Sequence, residues 1–243
     1  MPEPAILALM GLIVLGAFVA KGATGFGESL LIVPLFLLFL DIKVALPVVL
    51  ITTFGADIYM LYHHHRDVQW RGLAVMIAAA VVGVVGGTLL FQQLQSGLLK
   101  TVFAAFVLLF AVRMLLTRNR KVTTREPNPI YGFVSGGTAG FIDALLGTGG
   151  PPLIIYLSWL GLGKTPFRAT FILLAFALHL VRVTSYAATG LFTRQIVLTG
   201  LCLLVPMILG AMIGRKLHDR LNETLFQRIA AVVLLIIGVK LLL

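Results

Sequence analysis

The sequence predicts an all-α integral membrane protein made of two inverted repeats. The first observation is composition, because the 243 residues are 59% hydrophobic and 12% charged, with a mean hydropathy of +1.04. The second is a series of apolar stretches joined by short polar connections, and the third is a set of glycines that recurs in the same order in both halves. Such a chain has no polar surface for a soluble globule, so the lipid bilayer is its solvent.

Ten apolar stretches follow one another along the chain, and the length leaves room for about ten membrane segments of roughly 20 residues each. They are Ala5–Ala20, Ser29–Leu40, Ile42–Tyr62, Gly72–Phe91, Leu98–Leu116, Ile130–Leu146, Pro151–Leu162, Pro166–Gly190, Gln195–Gly214 and Leu225–Leu243. The first stretch has no basic residue before it and no cleavage pattern after it, so we expect it to be retained. One polar interval, Thr117–Asn128, is much longer than the rest and divides the chain near its middle.

The two halves share glycine landmarks, which predicts a tandem duplication. Gly25-Phe26-Gly27 recurs as Gly147-Thr148-Gly149, and the pair Gly83 and Gly87 recurs as Gly210 and Gly214. We expect a first repeat over residues 1–116, a basic cytoplasmic linker over 117–129 and a second repeat over 130–243, together forming one integrated membrane domain. Chance similarity between leucine-rich runs is the alternative.

The loop charges indicate that the chain reverses at each glycine-rich break. If each break only kinked a helix, the basic loop residues would divide seven against seven between the two faces. If each break reverses the chain, only Lys43, Lys100 and Arg194 fall on one face and eleven fall on the other, which is then the cytoplasmic face. Each half then has five segments, namely a glycine-broken pair plus three transmembrane helices. Five is an odd number, so the halves are inverted and both termini lie outside.

Several classes of function are excluded. The net charge of +10 comes from basic residues scattered through short loops rather than gathered on one face, which argues against nucleic acid. The single cysteine, Cys202, gives neither a disulfide framework nor a cysteine metal site. No phosphate-binding loop motif for ATP is present, and the sequence predicts no cofactor.

The two breaks are the predicted substrate-binding positions: Thr24, Gly25, Phe26 and Gly27 in the first half, and Gly147, Thr148, Gly149 and Gly150 in the second. Irregular backbone at membrane depth is tolerated where it lines a cavity or is buried in protein. Pro151 or Pro152 fits the first turn of the next helix, whose free amides then point at the break and favour an anion. The alternative is that these glycines only permit close helix crossing, as we expect for Gly83 with Gly87 and for Gly210 with Gly214.

The segments beside each break are short, which suits re-entrant hairpins as well as tilted full crossings. Both arrangements preserve the inverted topology. In the re-entrant arrangement the two breaks meet near the midplane of the membrane.

The motifs Gly25-Phe26-Gly27 with Leu30-Leu31-Ile32-Val33-Pro34, and Gly147-Thr148-Gly149-Gly150-Pro151 with Leu153, resemble the paired signatures of the TauE/SafE sulfite exporter family of bacterial permeases. The similarity covers the whole chain. It implies transport of small sulfur-containing anions such as sulfite, sulfonates or related carboxylates, by a multi-pass protein of the bacterial inner membrane. Glu28 departs from the pattern because it stands where Gly150 stands in the second motif, and we expect Lys21 to be its partner.

Other ionisable residues inside apolar runs are candidates for function because they are costly to bury. His179, Arg182 and Tyr186 share one helix face, so Arg182 is a candidate anion ligand and His179 a candidate proton carrier. Arg182 could instead extend to the outer interface. Asp57 either pairs with Arg182, relays protons or lies at the cytoplasmic rim. Asp143 lines the second break or only caps local amides, and with Lys21, Glu28, Asp57 and His179 it is assigned to proton or charge coupling.

The resulting hypothesis is a secondary transporter that exports a small anion by alternating access, with lipid and the anion as its partners and homo-oligomer formation left open. A passive anion channel is one alternative. An intramembrane enzyme that uses the cluster from His63 to Asp67 is another, although three consecutive histidines cannot all face one metal ion from a regular helix. Tyr62 and Trp70 beside this cluster are predicted interfacial aromatics.

Overall fold

The structure is a computed structural model that describes residues 3–24, 27–116, 125–217 and 223–242. These residues form α-helices, a 3-10 helix over His65–Asp67 and connecting turns, with no strand among them, which confirms the predicted all-α fold. The helices are α1 (Pro4–Thr24), α2 (Glu28–Phe36), α3 (Ile42–His64), α4 (Leu73–Gln93), α5 (Ser96–Leu116), α6 (Pro129–Leu146), α7 (Gly150–Leu160), α8 (Lys164–Ala188), α9 (Arg194–Cys202), α10 (Leu204–Leu217) and α11 (Glu223–Leu242). Residues 117–124 of the predicted linker 117–129 lie outside the described residues.

Within the described ranges, six segments are long and apolar enough to cross a bilayer. They are Pro4–Gly22, Ile42–His63, Leu73–Gln93, Ser96–Arg113, Lys164–Ala188 and Arg194–Lys216. In contrast, α2 has 9 residues and α7 has 11, which correspond to about 14 Å and about 17 Å of helix. Each is therefore about half as long as the hydrocarbon core is thick, roughly 30 Å.

Local side-chain chemistry sets several helix starts. The Asn128 side chain accepts hydrogen bonds from the amides of Ile130 and Tyr131, and Pro129 occupies the first position of α6, where its missing N–H costs nothing. Asp41 accepts from the Lys43 amide at 2.8 Å before α3. These caps fix the first turns of helices whose apolar sequences alone do not specify a starting residue.

The ninth predicted segment, Gln195–Gly214, differs from the structure because it contains two helices. The chain leaves regular helix at Leu203, between α9 and α10. Pro206 lies three residues later and has no N–H to donate to the Cys202 carbonyl, so the regular hydrogen-bond ladder is interrupted there. The two helices still form one apolar span over Arg194–Lys216.

The chain divides into two compact units, each of which combines helices from both predicted repeats. The first unit consists of Met1–Thr52, Leu94–Asn119 and Phe192–Leu243, and the second of Thr53–Gln93 and Arg120–Leu191. A repeat is a unit of duplication and not necessarily of packing. The repeat boundaries and the inverted duplication therefore stay predictions.

Within the second unit, glycines bring α4 and α6 into direct backbone contact. A Cβ added to Gly87 would lie 2.6 Å from the Phe141 carbonyl oxygen, and one added to Gly83 would overlap the Gly137 carbonyl oxygen. Within the first unit, α10 approaches α1 in the same way, because a Cβ on Gly210 would lie 2.5 Å from the Leu15 carbonyl oxygen. Gly214 meets the backbone of α1 as well. The predicted role of these four glycines in close helix crossing is confirmed.

The chain reverses direction between α6 and α7. The Tyr156 hydroxyl of α7 donates to the carbonyl of Asn128, which precedes α6, at 3.5 Å. The rings of Tyr131 and Trp159 lie 5.3 Å apart, near the start of α6 and the end of α7 respectively. A helix that continued in one direction could not bring these residues together, so α6 and α7 form an antiparallel hairpin with the glycine-rich break at its tip.

Candidate functional site

The break between α6 and α7 has a backbone that depends on glycine. Gly147 ends α6 with φ +74°, a left-handed conformation that residues with a Cβ rarely adopt, and its N–H donates to the Asp143 carbonyl at 2.8 Å. Helix α7 then starts at Gly150 with prolines in its first turn, as predicted from Pro151 and Pro152. The first-turn amides of α7 therefore point toward the break.

Gly149 is required at the tip for a second reason. A Cβ at this position would lie 2.6 Å from the Ala139 carbonyl oxygen and 2.7 Å from the Asp143 Cβ. The absence of a side chain lets the Gly149 N–H reach the Asp143 carboxylate, with 3.2 Å between the nitrogen and Oδ1. The neighbouring Thr148 is buried as well.

Asp143 is the centre of a buried group of polar side chains. Its Oδ2 lies 3.5 Å from Nη1 of Arg182, and its Oδ1 lies 3.6 Å from Nε2 of His179. Together with the Gly149 amide, these groups place three nitrogen atoms around one carboxylate. Asp143 therefore contacts a local amide at the second break, and its assignment to charge coupling stays a prediction.

Arg182 is held inside the second unit, with only 2% of its surface exposed. Its Nη2 donates to the Tyr186 hydroxyl at 3.1 Å, and that hydroxyl donates to the Ala144 carbonyl at 2.7 Å. The Nε atom is buried and has no hydrogen-bond partner among the described residues. The alternative that Arg182 extends to the outer interface is therefore wrong. Arg182 points toward the α6–α7 break.

His179 joins two carboxylates on different helices. Its Nδ1 lies 2.5 Å from Oδ2 of Asp57 on α3, while its Nε2 faces Asp143 on α6. Asp57 is fully buried and its ion-pair contact is with His179, whereas the sequence suggested a pairing with Arg182. The four groups Asp57, Asp143, His179 and Arg182 carry a net charge of zero when the imidazole is protonated and of minus one when it is neutral.

The first break contains a different ion pair. Nζ of Lys21, in the last turn of α1, lies 2.6 Å from Oε1 of Glu28, the first residue of α2, and both side chains are buried. The predicted partnership of these residues is confirmed. Gly27 has φ +97° and so requires glycine. Gly25 and Phe26 lie outside the described residues, as does the side chain of Thr24.

The His63–Asp67 cluster lies at the exposed end of α3. The Nδ1 atoms of His63 and His65 bond to carbonyls one turn earlier in the chain, at 2.8 Å and 3.0 Å. The side chain of His64 lies outside the described residues. Tyr62 and Trp70 are exposed, as expected for interfacial aromatics. The described imidazoles of His63 and His65 belong to no group of described side chains that could hold a metal ion.

The sequence interpretation left one functional side chain unassigned. Tyr186 was recognised as sharing a helix face with Arg182, and the structure shows that its hydroxyl connects Arg182 to the backbone of α6. The spacing of four residues between Arg182 and Tyr186 was the available signal. The Tyr186 ring also stacks on Phe91 of α4, with 5.5 Å between the ring centroids, which holds the hydroxyl in place.

Comparison with known proteins gives a consistent result. The family model described as Sulfite exporter TauE/SafE matches residues 9–241. A protein of Cupriavidus necator named probable sulfite/organosulfonate exporter TauE is 23% identical, and the alignment covers 98% of this chain and 94% of that protein. A probable membrane transporter protein of Methanocaldococcus jannaschii is 22% identical, with 98% and 97% covered. No solved structure matches the chain.

Proposed function

This chain belongs to the sulfite exporter TauE/SafE family, and from that membership we propose that it is a secondary transporter of small sulfur-containing anions such as sulfite or organosulfonates. It is a multi-pass membrane protein, with several helices long and apolar enough to cross a bilayer. The proposal further assigns it to the bacterial inner membrane with both termini outside, in agreement with the distribution of basic residues among its loops. The direction assigned is export, because the C. necator relative is named an exporter.

One observation supports the proposal most directly: Arg182 is buried and contacts Asp143, whose carboxylate also accepts from the Gly149 amide at the helix break. Guanidinium groups bind oxyanions through two parallel hydrogen bonds donated from one edge, which Arg182 can supply. The Gly149 amide adds a donor with the positive end of a helix dipole behind it. This donor set suits a small anion with several oxygens, such as sulfite or a sulfonate group.

The backbone of the second break completes the proposed site. Gly147, Thr148 and Gly149 form a short irregular segment between α6 and α7, and Gly150 is the first residue of α7. Because Gly149 has no Cβ, its backbone packs closely against α6 and its N–H faces the position of the Asp143 carboxylate. For the first break, the proposal assigns charge balance to Lys21 and Glu28. Anion contact by residues 24–27, and a shared site for the two breaks, stay predictions of the sequence.

Asp57 and His179 are proposed to couple anion movement to protons. His179 lies between two carboxylates, one of which contacts the anion-binding donors directly. A proton gained or lost by the imidazole changes the net charge beside Arg182 by one unit. Coupling in this sense means that the anion and the proton affect each other's binding through Asp143.

The experiment that tests the proposed function is counterflow in sealed liposomes that contain the purified protein. Labelled sulfite should accumulate transiently when the opposite side holds unlabelled sulfite or an organosulfonate, because an alternating-access carrier exchanges its substrates. A passive channel would give flux that is indifferent to substrate on the far side. An enzyme would convert its substrate in detergent without any vesicle. Indifference of the protein to all of these anions contradicts the substrate assignment.

A further inference from the structure

The donors of the proposed anion site already hold an anion that belongs to the chain itself. The Asp143 carboxylate accepts from the Gly149 amide, faces the Arg182 guanidinium and lies beside His179. It is only 2% exposed, so this contact takes place away from water. A carboxylate and a sulfonate or sulfite present similar negatively charged oxygens, so each competes for the same donors.

The hold on Asp143 is incomplete in two respects. Its three polar contacts measure 3.2 Å, 3.5 Å and 3.6 Å, longer than the 2.7–2.9 Å that is typical of charge-assisted hydrogen bonds. Nε of Arg182 is buried and makes no hydrogen bond with any described residue. An oxyanion that replaced Asp143 on the Nη1–Nη2 edge of Arg182 and made two short hydrogen bonds would satisfy the guanidinium more fully than Asp143 does at 3.5 Å.

We propose that Asp143 is an internal substitute for the transported anion. Its carboxylate occupies the site between transport cycles and is displaced when the substrate binds. This inference rests on the proposed function. A buried arginine without an anion would be costly, and Asp143 removes that cost while the site holds no substrate. Displacement requires that the substrate binds the donors better than Asp143 does. The carboxylate therefore sets a threshold that selects against weakly binding anions.

The side-chain partners make the exchange reversible. When the substrate displaces it, the Asp143 carboxylate still has His179 within reach, and His179 also contacts Asp57. When the substrate leaves, Asp143 returns to the Gly149 amide and Arg182. The competition weakens equilibrium binding of the substrate but speeds its release, because a replacement ligand is attached to the same helix break.

The test is equilibrium binding of sulfite and an organosulfonate to purified wild-type protein and to Asp143→Asn, with counterflow measured in parallel. Asparagine keeps an oxygen that accepts from the Gly149 amide but loses the competing charge. We expect the dissociation constant to fall about tenfold, which corresponds to about 1.4 kcal/mol, and counterflow to slow because release is slower. Asp41→Asn is the matched control: it makes the same change at an exposed cap of α3 and should bind like wild type.

The outcomes separate this inference from the proposed function. If wild-type protein binds no sulfite or sulfonate, the proposed function fails and this inference with it. If wild type binds and folded Asp143→Asn binds with equal or weaker affinity, only the inference is overturned. If Asp143→Asn unfolds during purification, sulfite in the buffer should restore the folded protein, since the bound anion replaces the lost carboxylate. Failure of sulfite to do so also overturns the inference.

Discussion

At the scale of single residues, the ion pair Lys21–Glu28 offers a direct test of charge balance at the first break. The two side chains are buried and their charged atoms lie 2.6 Å apart, so removal of one partner leaves an uncompensated charge. We expect Lys21→Met and Glu28→Gln each to destabilise the protein by about 3–5 kcal/mol. Thermal unfolding in detergent measures the effect.

The double variant Lys21→Met/Glu28→Gln is the control for this pair. It removes both charges, so it should unfold at a higher temperature than either single variant. If the two single effects simply add in the double variant, the side chains contribute independently and the ion-pair account of this break is wrong.

His179→Gln tests proton coupling. Glutamine can hydrogen-bond to Asp57 or Asp143 but cannot carry a proton, so we expect counterflow to continue while uptake driven by a proton gradient is lost. Both are measured in the same liposomes, with and without a pH difference. His63→Gln is the matched control, because His63 is exposed and bonds to the backbone of its own helix. Gradient-driven uptake by His179→Gln at the wild-type rate would refute the coupling role.

The sequence predicts which side chains share a face but not which partner each one meets. The spacing of His179, Arg182 and Tyr186 placed them on one face of α8, and all three are buried. Asp57 was one predicted partner of Arg182, but the structure pairs Asp57 with His179 and Arg182 with Asp143. His179 and Asp57 are 122 positions apart, so their contact depends on helix packing that spacing within one helix cannot reveal. The short connection between Lys21 and Glu28 made their pairing predictable.

At the scale of helices, the neighbours Gly136 and Gly137 separate close packing from helix propensity. A Cβ on Gly136 would overlap the Met76 carbonyl oxygen of α4, whereas one on Gly137 would lie 3.8 Å from its nearest neighbour, the Ala79 carbonyl oxygen. We expect Gly136→Ala to destabilise the protein by about 1–3 kcal/mol. Gly137→Ala should change stability by no more than about 1 kcal/mol. Equal unfolding temperatures for the two variants would contradict the close contact of α4 with α6.

The positions of the helices could be predicted from the apolar runs, whereas the residues at which helices begin and end depend on local capping and on proline. Apolar runs predicted every helix except the division between α9 and α10, for which Pro206 was the available signal. Within the predicted segment Ser29–Leu40, helix α2 ends at Phe36. Residues 37–39 then form a turn before Asp41 caps α3. Hydrophobicity does not distinguish helix from turn inside a membrane protein, so the C-terminal end of α2 could not be predicted from the hydrophobicity of the segment.

At the scale of the whole molecule, orientation in the membrane can be tested at the two ends of α4. This helix of 21 residues is about 32 Å long, enough to place Arg71 and Gln95 on opposite faces. In a Cys202→Ser background, we expect Arg71→Cys to react with an impermeant thiol reagent only after the membrane is opened. Gln95→Cys should react in intact cells. The reverse pattern would contradict the predicted orientation.

Composition was enough to predict the membrane class, because a bilayer imposes strong constraints on sequence. The resemblance of the two glycine motifs to a known family predicted the family. The recurring glycine pairs also predicted close crossings at Gly83, Gly87, Gly210 and Gly214, and all four occur. The grouping of helices into compact units was not predictable, because it depends on which apolar faces meet. Leucine-rich faces resemble one another too closely in sequence to specify partners.

The most direct test of the account is equilibrium binding of sulfite to Arg182 variants, with Arg71→Gln as a control at an exposed arginine. Arg182→Gln should weaken binding by about tenfold or more, the loss expected for hydrogen bonds to a charged group. Arg182→Lys should fall between this variant and wild type, because lysine keeps the charge but not the paired donors. Unchanged affinity in a folded Arg182→Gln protein would contradict the assignment of the anion site to the α6–α7 break.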